Sequence, residues 1–168
     1  KLYKKAFSNN LLKGRSIRAM VAAALYYNCT KEQVPCLLQD ILNQTNLSSR
    51  EVNMAFQSLV KAFDLITHTL KPEVLLSRHI SFLNLNQEIE NIAGEILHLY
   101  EKVYSLSGKD PKGLVAAALY LACKYGDVNK TQSKIAKSVG ITEVTLRNRL
   151  REMQDMLQRY KESKRNKE

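Results

Sequence analysis

The sequence predicts an all-α protein made of two tandem copies of one helical bundle. Three observations carry this. Glycine (6) and proline (3) are scarce in the 168 residues, and strands bounded by turn clusters are hard to find. MVAAALYYNC (20–29) recurs as LVAAALYLAC (114–123), 94 residues later. Residues 129–153 read as a short helix, a glycine turn and a second helix studded with arginines, the pattern of a helix-turn-helix.

The first copy is expected to hold helices near 1–9, 16–29, 37–44, 49–60 and 72–83. Leu2, Tyr3 and Lys5 match Leu99, Tyr100 and Lys102 at an offset of 97, so the first copy is expected to begin partway through its own first helix. The alanine runs 22–24 and 116–118 lack bulk, which lets each second helix approach its neighbours on several sides and sit at the centre of its bundle. Ser48, with Glu51 three residues on, forms a capping box. Pro72 suits a first helical turn.

The second copy is expected near 87–105, 111–125, 131–138 and 142–159. Asp110 is an N-cap followed by Pro111 at the first helical position, and Gly126 suits a helix C-cap. At the 94-residue offset Val34 falls on Val128, Ile41 on Ile135, Leu47 on Ile141, Val52 on Leu146 and Leu59 on Met153. A shared apolar register without a shared surface means one fold used twice. The domains expected are therefore 1–85 and 86–160. The segment KESKRNKE (161–168) has no apolar residue and is expected to be a disordered basic tail.

The net charge of +10 favours a polyanionic partner, nucleic acid before an anionic membrane surface. No run of 18 apolar residues is present, so no transmembrane helix is expected, and KLYKKAFSNN lacks the apolar core of a secretion signal. Cys29, Cys36 and Cys123, an odd set without CxxC spacing, argue against a disulfide framework and a zinc site. They read as reduced thiols, Cys29 and Cys123 as core fillers. His68, His79 and His98 have no HxxxH spacing, phosphate loop or nucleophile motif beside them, so catalysis is not expected. Glu88, Glu90, Glu95 and Glu101 lie in a stretch, 80–101, without Lys or Arg. That stretch reads as a solvated acidic face, or as a surface for a basic partner.

The charge is concentrated. Residues 130–151 hold six Lys/Arg against one Glu, a net +5 in 22 residues. Ala136 is small where the first helix of the motif must approach the second, and Gly140 can supply the positive φ of the turn. Leu146, Leu150, Met153 and Leu157 form one buried stripe. Val144 lies about 200° from Leu146 on the helical wheel and must face outward, followed on that face by Arg147 and Arg151. An outward valine beside arginines suits a helix in the major groove, where it meets a thymine methyl while Arg forks onto guanine O6 and N7. Val144 and Arg147 are the base-reading candidates. Lys130, Thr131, Gln132, Arg149 and Arg151 are the candidates for phosphate or positioning contacts. The first copy carries Asn53 and Gln57 where the second has Arg147 and Arg151, so it keeps the scaffold without the reading surface.

GRSIRAMVAAALYYNC, VPCLLQDI, KDPKGLVAAALYLAC and KTQSKIAKSVGITEVTLRNRLREM together resemble, across essentially the whole chain, the core of archaeal transcription factor B, similar to eukaryotic transcription initiation factor IIB. The resemblance implies two cyclin-like repeats of about five helices. It implies binding to TATA-box-binding protein on promoter DNA, recruitment of RNA polymerase, and a helix-turn-helix that reads the B-recognition element, its base-reading positions falling on Val144 and Arg147. The family's zinc ribbon would precede Lys1, so no cofactor is expected in this fragment. A monomer with no membrane partner is expected, with a cytoplasmic, nucleoid-associated place in an archaeal cell (nuclear in a eukaryote). Pro35-Cys36-Leu37 replaces the family's Pro-Arg-Thr, and Met54 and Gln57 occupy two basic positions, which implies weaker phosphate contacts by the first repeat. The alternative is a cyclin proper, a module that regulates a kinase through the same fold.

Overall fold

A computed structural model describes residues 2–11, 16–105 and 108–165. The described residues form helices joined by turns and no strand, as expected: α1 (Leu2–Ser8), α2 (Ile17–Lys31), α3 (Leu38–Thr45), α4 (Ser49–Phe63), α5 (Pro72–Phe82), α6 (Gln87–Val103), α7 (Pro111–Tyr125), α8 (Gln132–Val139) and α9 (Glu143–Arg165). The pairs α2/α7, α3/α8 and α4/α9 each begin 94 residues apart, so the apolar repeat is also a repeat of helix starts.

The chain divides into two compact units between Leu70 and Lys71, not at the expected 85/86. The reason is α5. Its buried face of Leu75, Leu76, His79 and Ile80 packs with α6, α7 and α8, so this helix belongs to the second unit. That unit then has five described helices, and the helix-turn-helix is its fourth and fifth rather than its third and fourth.

In the first unit α2 is central. Met20 and Ala22, Ala23 and Ala24 are buried against Ile41 and Leu42 of α3 and Val52, Ala55 and Leu59 of α4, with Ala6 of α1 closing the cluster. Ser16 caps α2 by accepting from the Ala19 N–H at 3.3 Å. The capping box of α4 forms as expected: Ser48 Oγ accepts from the Glu51 N–H, and Glu51 Oε2 accepts from the Ser48 N–H at 2.9 Å. At the start of α3, Leu37 has no acceptor of its own, and Asp40 Oδ2 takes the Leu37 N–H at 2.8 Å instead.

In the second unit α7 is central and packs with α5, α6, α8 and α9. Leu114 to Leu119 are all buried. Asp110 Oδ1 caps α7 by accepting from the Lys112 N–H at 3.0 Å, with Pro111 opening the helix. Gly126 ends it, and a Cβ there would stand 2.4 Å from Ile89 Cδ1 of α6, so glycine is needed for close approach.

One difference between the units follows from α5. Val115 and Leu119 are fully buried in the helix against which α5 packs. The matching Val21 and Leu25 of α2 are 44% and 51% exposed, together with Ile17 at 57%. The described residues of the first unit contain no counterpart of α5. Among the cysteines, Cys123 is buried as expected, whereas Cys29 and Cys36 are half-buried.

α9 runs to Arg165, which corrects the expected disorder over 161–165; residues 166–168 of that expectation lie outside the described residues. No described helix is long and apolar enough to cross a membrane.

Candidate nucleic-acid interface

The turn between α8 and α9 is built by backbone hydrogen bonds that only one conformation can make. Gly140 sits at φ +74° and its N–H donates to Lys137 O at 3.2 Å, while the Ile141 N–H donates to Ala136 O at 3.0 Å. This is the Schellman pairing, and it satisfies two carbonyls the helix end would leave bare. Ile135, Ala136 and Val139 are buried beneath it. Thr142 Oγ1 then accepts from the Thr145 N–H at 3.2 Å, starting α9.

The buried stripe of α9 is Leu146, Leu150, Met153 and Met156. Leu157, expected in that stripe, is half-buried. Val144 is 63% exposed, and Arg147 and Arg151 are exposed beside it, so the outward face predicted by the wheel is present. Arg147 is not loose. Its Nε donates to Gln132 Oε1 at 3.1 Å and its Nη2 to Glu143 Oε2 at 2.8 Å, which joins the first turn of α8 to the first turns of α9.

The positioning candidates separate. Thr131 caps α8 by accepting from the Lys134 N–H at 3.2 Å. Gln132 is engaged with Arg147. Lys130 Nζ donates to Leu83 O at 3.0 Å, tying the loop before α8 to the end of α5. Arg149 lies between Leu146 and Met153 on the inward side of α9, its stem 3.2 Å from where a Cβ of Gly113 would stand, and it is paired with Glu152. Lys130 and Arg149 thus each hold a contact within the second unit, whereas Arg151 is exposed. The offset could have flagged Arg149, since it aligns with Ala55, which is buried. Lys134 and Lys137, not among the expected site residues, are exposed on α8 and line a cavity of about 440 Å³ with Phe82, Leu83, Lys130 and Ser138. The six-cation count of the segment was their only signal.

A buried-edge network fixes α9 against the bundle. Lys109 Nζ donates to Tyr100 Oη and pairs with Glu152, which also takes Arg149. Lys109 Nζ lies 4.8 Å from the ring centroids of Tyr100 and Tyr104. Burial by itself would push the Glu152 carboxyl up, but hydrogen bonds from Lys109, Tyr100 and Arg149 outweigh it and hold it at about 2. Burial likewise works against the Lys109 ammonium, and its bonds to Glu152 and Tyr100 reverse that, leaving it raised. Among the described residues no group of three His, Cys, Asp or Glu could hold a metal ion.

A family model described as "Transcription factor TFIIB repeat" matches residues 1–62 and 67–156. The second match begins before α5, in agreement with the compact units. The chain is 38% identical over 152 residues to "Transcription initiation factor IIB" of Pyrobaculum islandicum, covering 90% of this chain and 46% of that protein. It is 37% identical over 156 residues to "Transcription initiation factor IIB 1" of Thermoplasma volcanium (93% and 50%). With "Transcription initiation factor IIB" of Saccharolobus shibatae the identity is 35% over 152 residues (90% and 50%). The chain thus spans about half the length of the curated relatives it matches. Two tandem all-α units, each matched by its own stretch of the same repeat, mean that the chain belongs to the TFIIB-repeat family.

Proposed function

We propose that this chain is the DNA-binding core of an archaeal transcription initiation factor, acting with TATA-box-binding protein on promoter DNA and helping to recruit RNA polymerase. It acts as a binding module and not as an enzyme, needs no metal or cofactor of its own residues, and works as a monomer on the DNA of the cytoplasm. α9 lies in the major groove upstream of the TATA box, with Val144 and Arg147 reading bases of the B-recognition element. Thr131, opening α8, and Arg151 are placed to meet phosphates.

The observation that carries this reading is Val144. A valine 63% exposed, one turn before an exposed arginine on the second helix of a helix-turn-helix, lies outside the core, and it suits a thymine methyl. The first unit has Arg50, Asn53 and Gln57 at the positions of Val144, Arg147 and Arg151, so the feature belongs to one repeat alone.

A gel shift with and without TATA-box-binding protein tests the reading. Binding to DNA alone should be weak at physiological salt, because one helix and a handful of phosphates give little affinity. The ternary complex should form on a TATA duplex with its natural upstream flank. Arg147→Ala should cost about 1–3 kcal/mol there and much less on a scrambled flank. Equal losses on both flanks would reduce Arg147 to a phosphate contact, and tight sequence-specific binding without TATA-box-binding protein would count against the mechanism.

A further inference from the structure

Arg147 is gripped by one edge. Its Nε bonds Gln132 Oε1 at 3.1 Å and its Nη2 bonds Glu143 Oε2 at 2.8 Å. Nε and Nη2 share one side of the planar guanidinium, and five N–H groups are available in all. One hydrogen of Nη1 and one of Nη2 remain at the end of the fork, and the second Nη1 hydrogen lies on the opposite edge. The two partners come from different helices of the motif: half-buried Gln132 opens α8, and Glu143, 40% exposed, opens α9.

We propose that Gln132 and Glu143 are positioning residues that present Arg147 end-on to a single guanine, so that guanine is selected over adenine at one base pair by the three residues as a unit. The proposal rests on the major-groove reading above. Guanine offers O6 and N7, two acceptors matched to the free end of the fork; adenine offers N7 beside the N6 amine, which sets donor against donor. Glu143 has a second effect. A carboxylate beside the reading arginine repels phosphate, so it lowers affinity for every sequence while the oriented fork restores affinity only on guanine. Specificity built by such a repulsive element is a difference of affinities.

The first repeat shows the same scaffold without the triad. At the 94-residue offset Gln132, Glu143 and Arg147 become Leu38, Ser49 and Asn53. All three are replaced, and there Asn53 Nδ2 bonds Ser49 Oγ at 3.2 Å without engaging Leu38. The scaffold survives in both repeats, and the triad survives in one.

The test uses the 168-residue chain with an archaeal TATA-box-binding protein and fluorescein-labelled TATA duplexes, in which each upstream base pair is changed singly to the other three. Affinities come from anisotropy. The unaltered chain should prefer guanine to adenine at one position by about tenfold or more, and Arg147→Ala should abolish that preference. Gln132→Met and Glu143→Met, which remove the two acceptors, each checked for an unchanged Tm, should shrink it to roughly threefold or less. Glu143→Met should also bind the scrambled duplex more tightly than the unaltered chain, a gain that a purely structural role would not produce. A full guanine preference in both variants overturns the positioning role and leaves the reading by Arg147 standing. No guanine preference in the unaltered chain, with Arg147→Ala neutral, overturns the major-groove reading and this proposal with it.

Discussion

Gly140 shows what a single residue decides in this motif. Its φ of +74° costs an L side chain about 1–2 kcal/mol, yet a Cβ there would meet nothing within 4 Å. The cost is therefore conformational and not steric. The first repeat solves the same turn with Asn46 at φ 51°, a residue type that tolerates the left-handed region. Gly140→Ala should destabilise the second unit by about 1–2 kcal/mol, and Gly140→Asn by less than half as much, both read from urea midpoints. Equal losses would show that something other than φ is at stake. Gly126 is the opposite case, with an ordinary φ and a neighbour at 2.4 Å. Gly126→Ala should cost about 1–3 kcal/mol through overpacking against Ile89.

Among the elements, α9 depends on a clamp that lies outside its apolar stripe. Glu152 draws in Lys109, Tyr100 and Arg149, and so fixes the rotation of the helix that carries Val144 and Arg147. Its carboxyl is held at about 2 against an ordinary 4.5. A depressed carboxyl contributes stability that is full above its unfolded value and is lost as pH falls through the folded one. The second unit should therefore lose stability between about pH 4.5 and 2, and Glu152→Gln should flatten that part of the profile while costing roughly 1–2 kcal/mol at neutral pH, discounted for partial exposure. Thermal melts at stepped pH measure both. Sequence periodicity located the helix starts here to within a residue or so, because caps such as Ser48 and Asp110 are local, but it ended α9 six residues early. It misassigned α5, whose apolar face is equally compatible with either repeat. Only packing on α7 decides between them. The Lys109–Glu152 pair spans 43 residues, and no local pattern announces it.

For the whole molecule, the decisive property is how the net charge of +10 is distributed between cations that are engaged and cations that are free. The outward face of α9 was legible in the sequence because it follows from a helical angle. The fate of each cation was not, because Lys130 finds Leu83 O and Arg149 finds Glu152 through tertiary contact, and residue type alone does not distinguish them from Arg151. Counterion release makes the distinction measurable. Each phosphate neutralised steepens the fall of binding with salt by about one unit of log–log slope. In the ternary promoter complex, Arg151→Ala should lower that slope by about 1, whereas Lys130→Ala and Arg149→Ala should leave it unchanged and lower the Tm instead. A slope change for Lys130→Ala would mean that its ammonium leaves Leu83 for the DNA, so that the end of α5 is released when the complex forms.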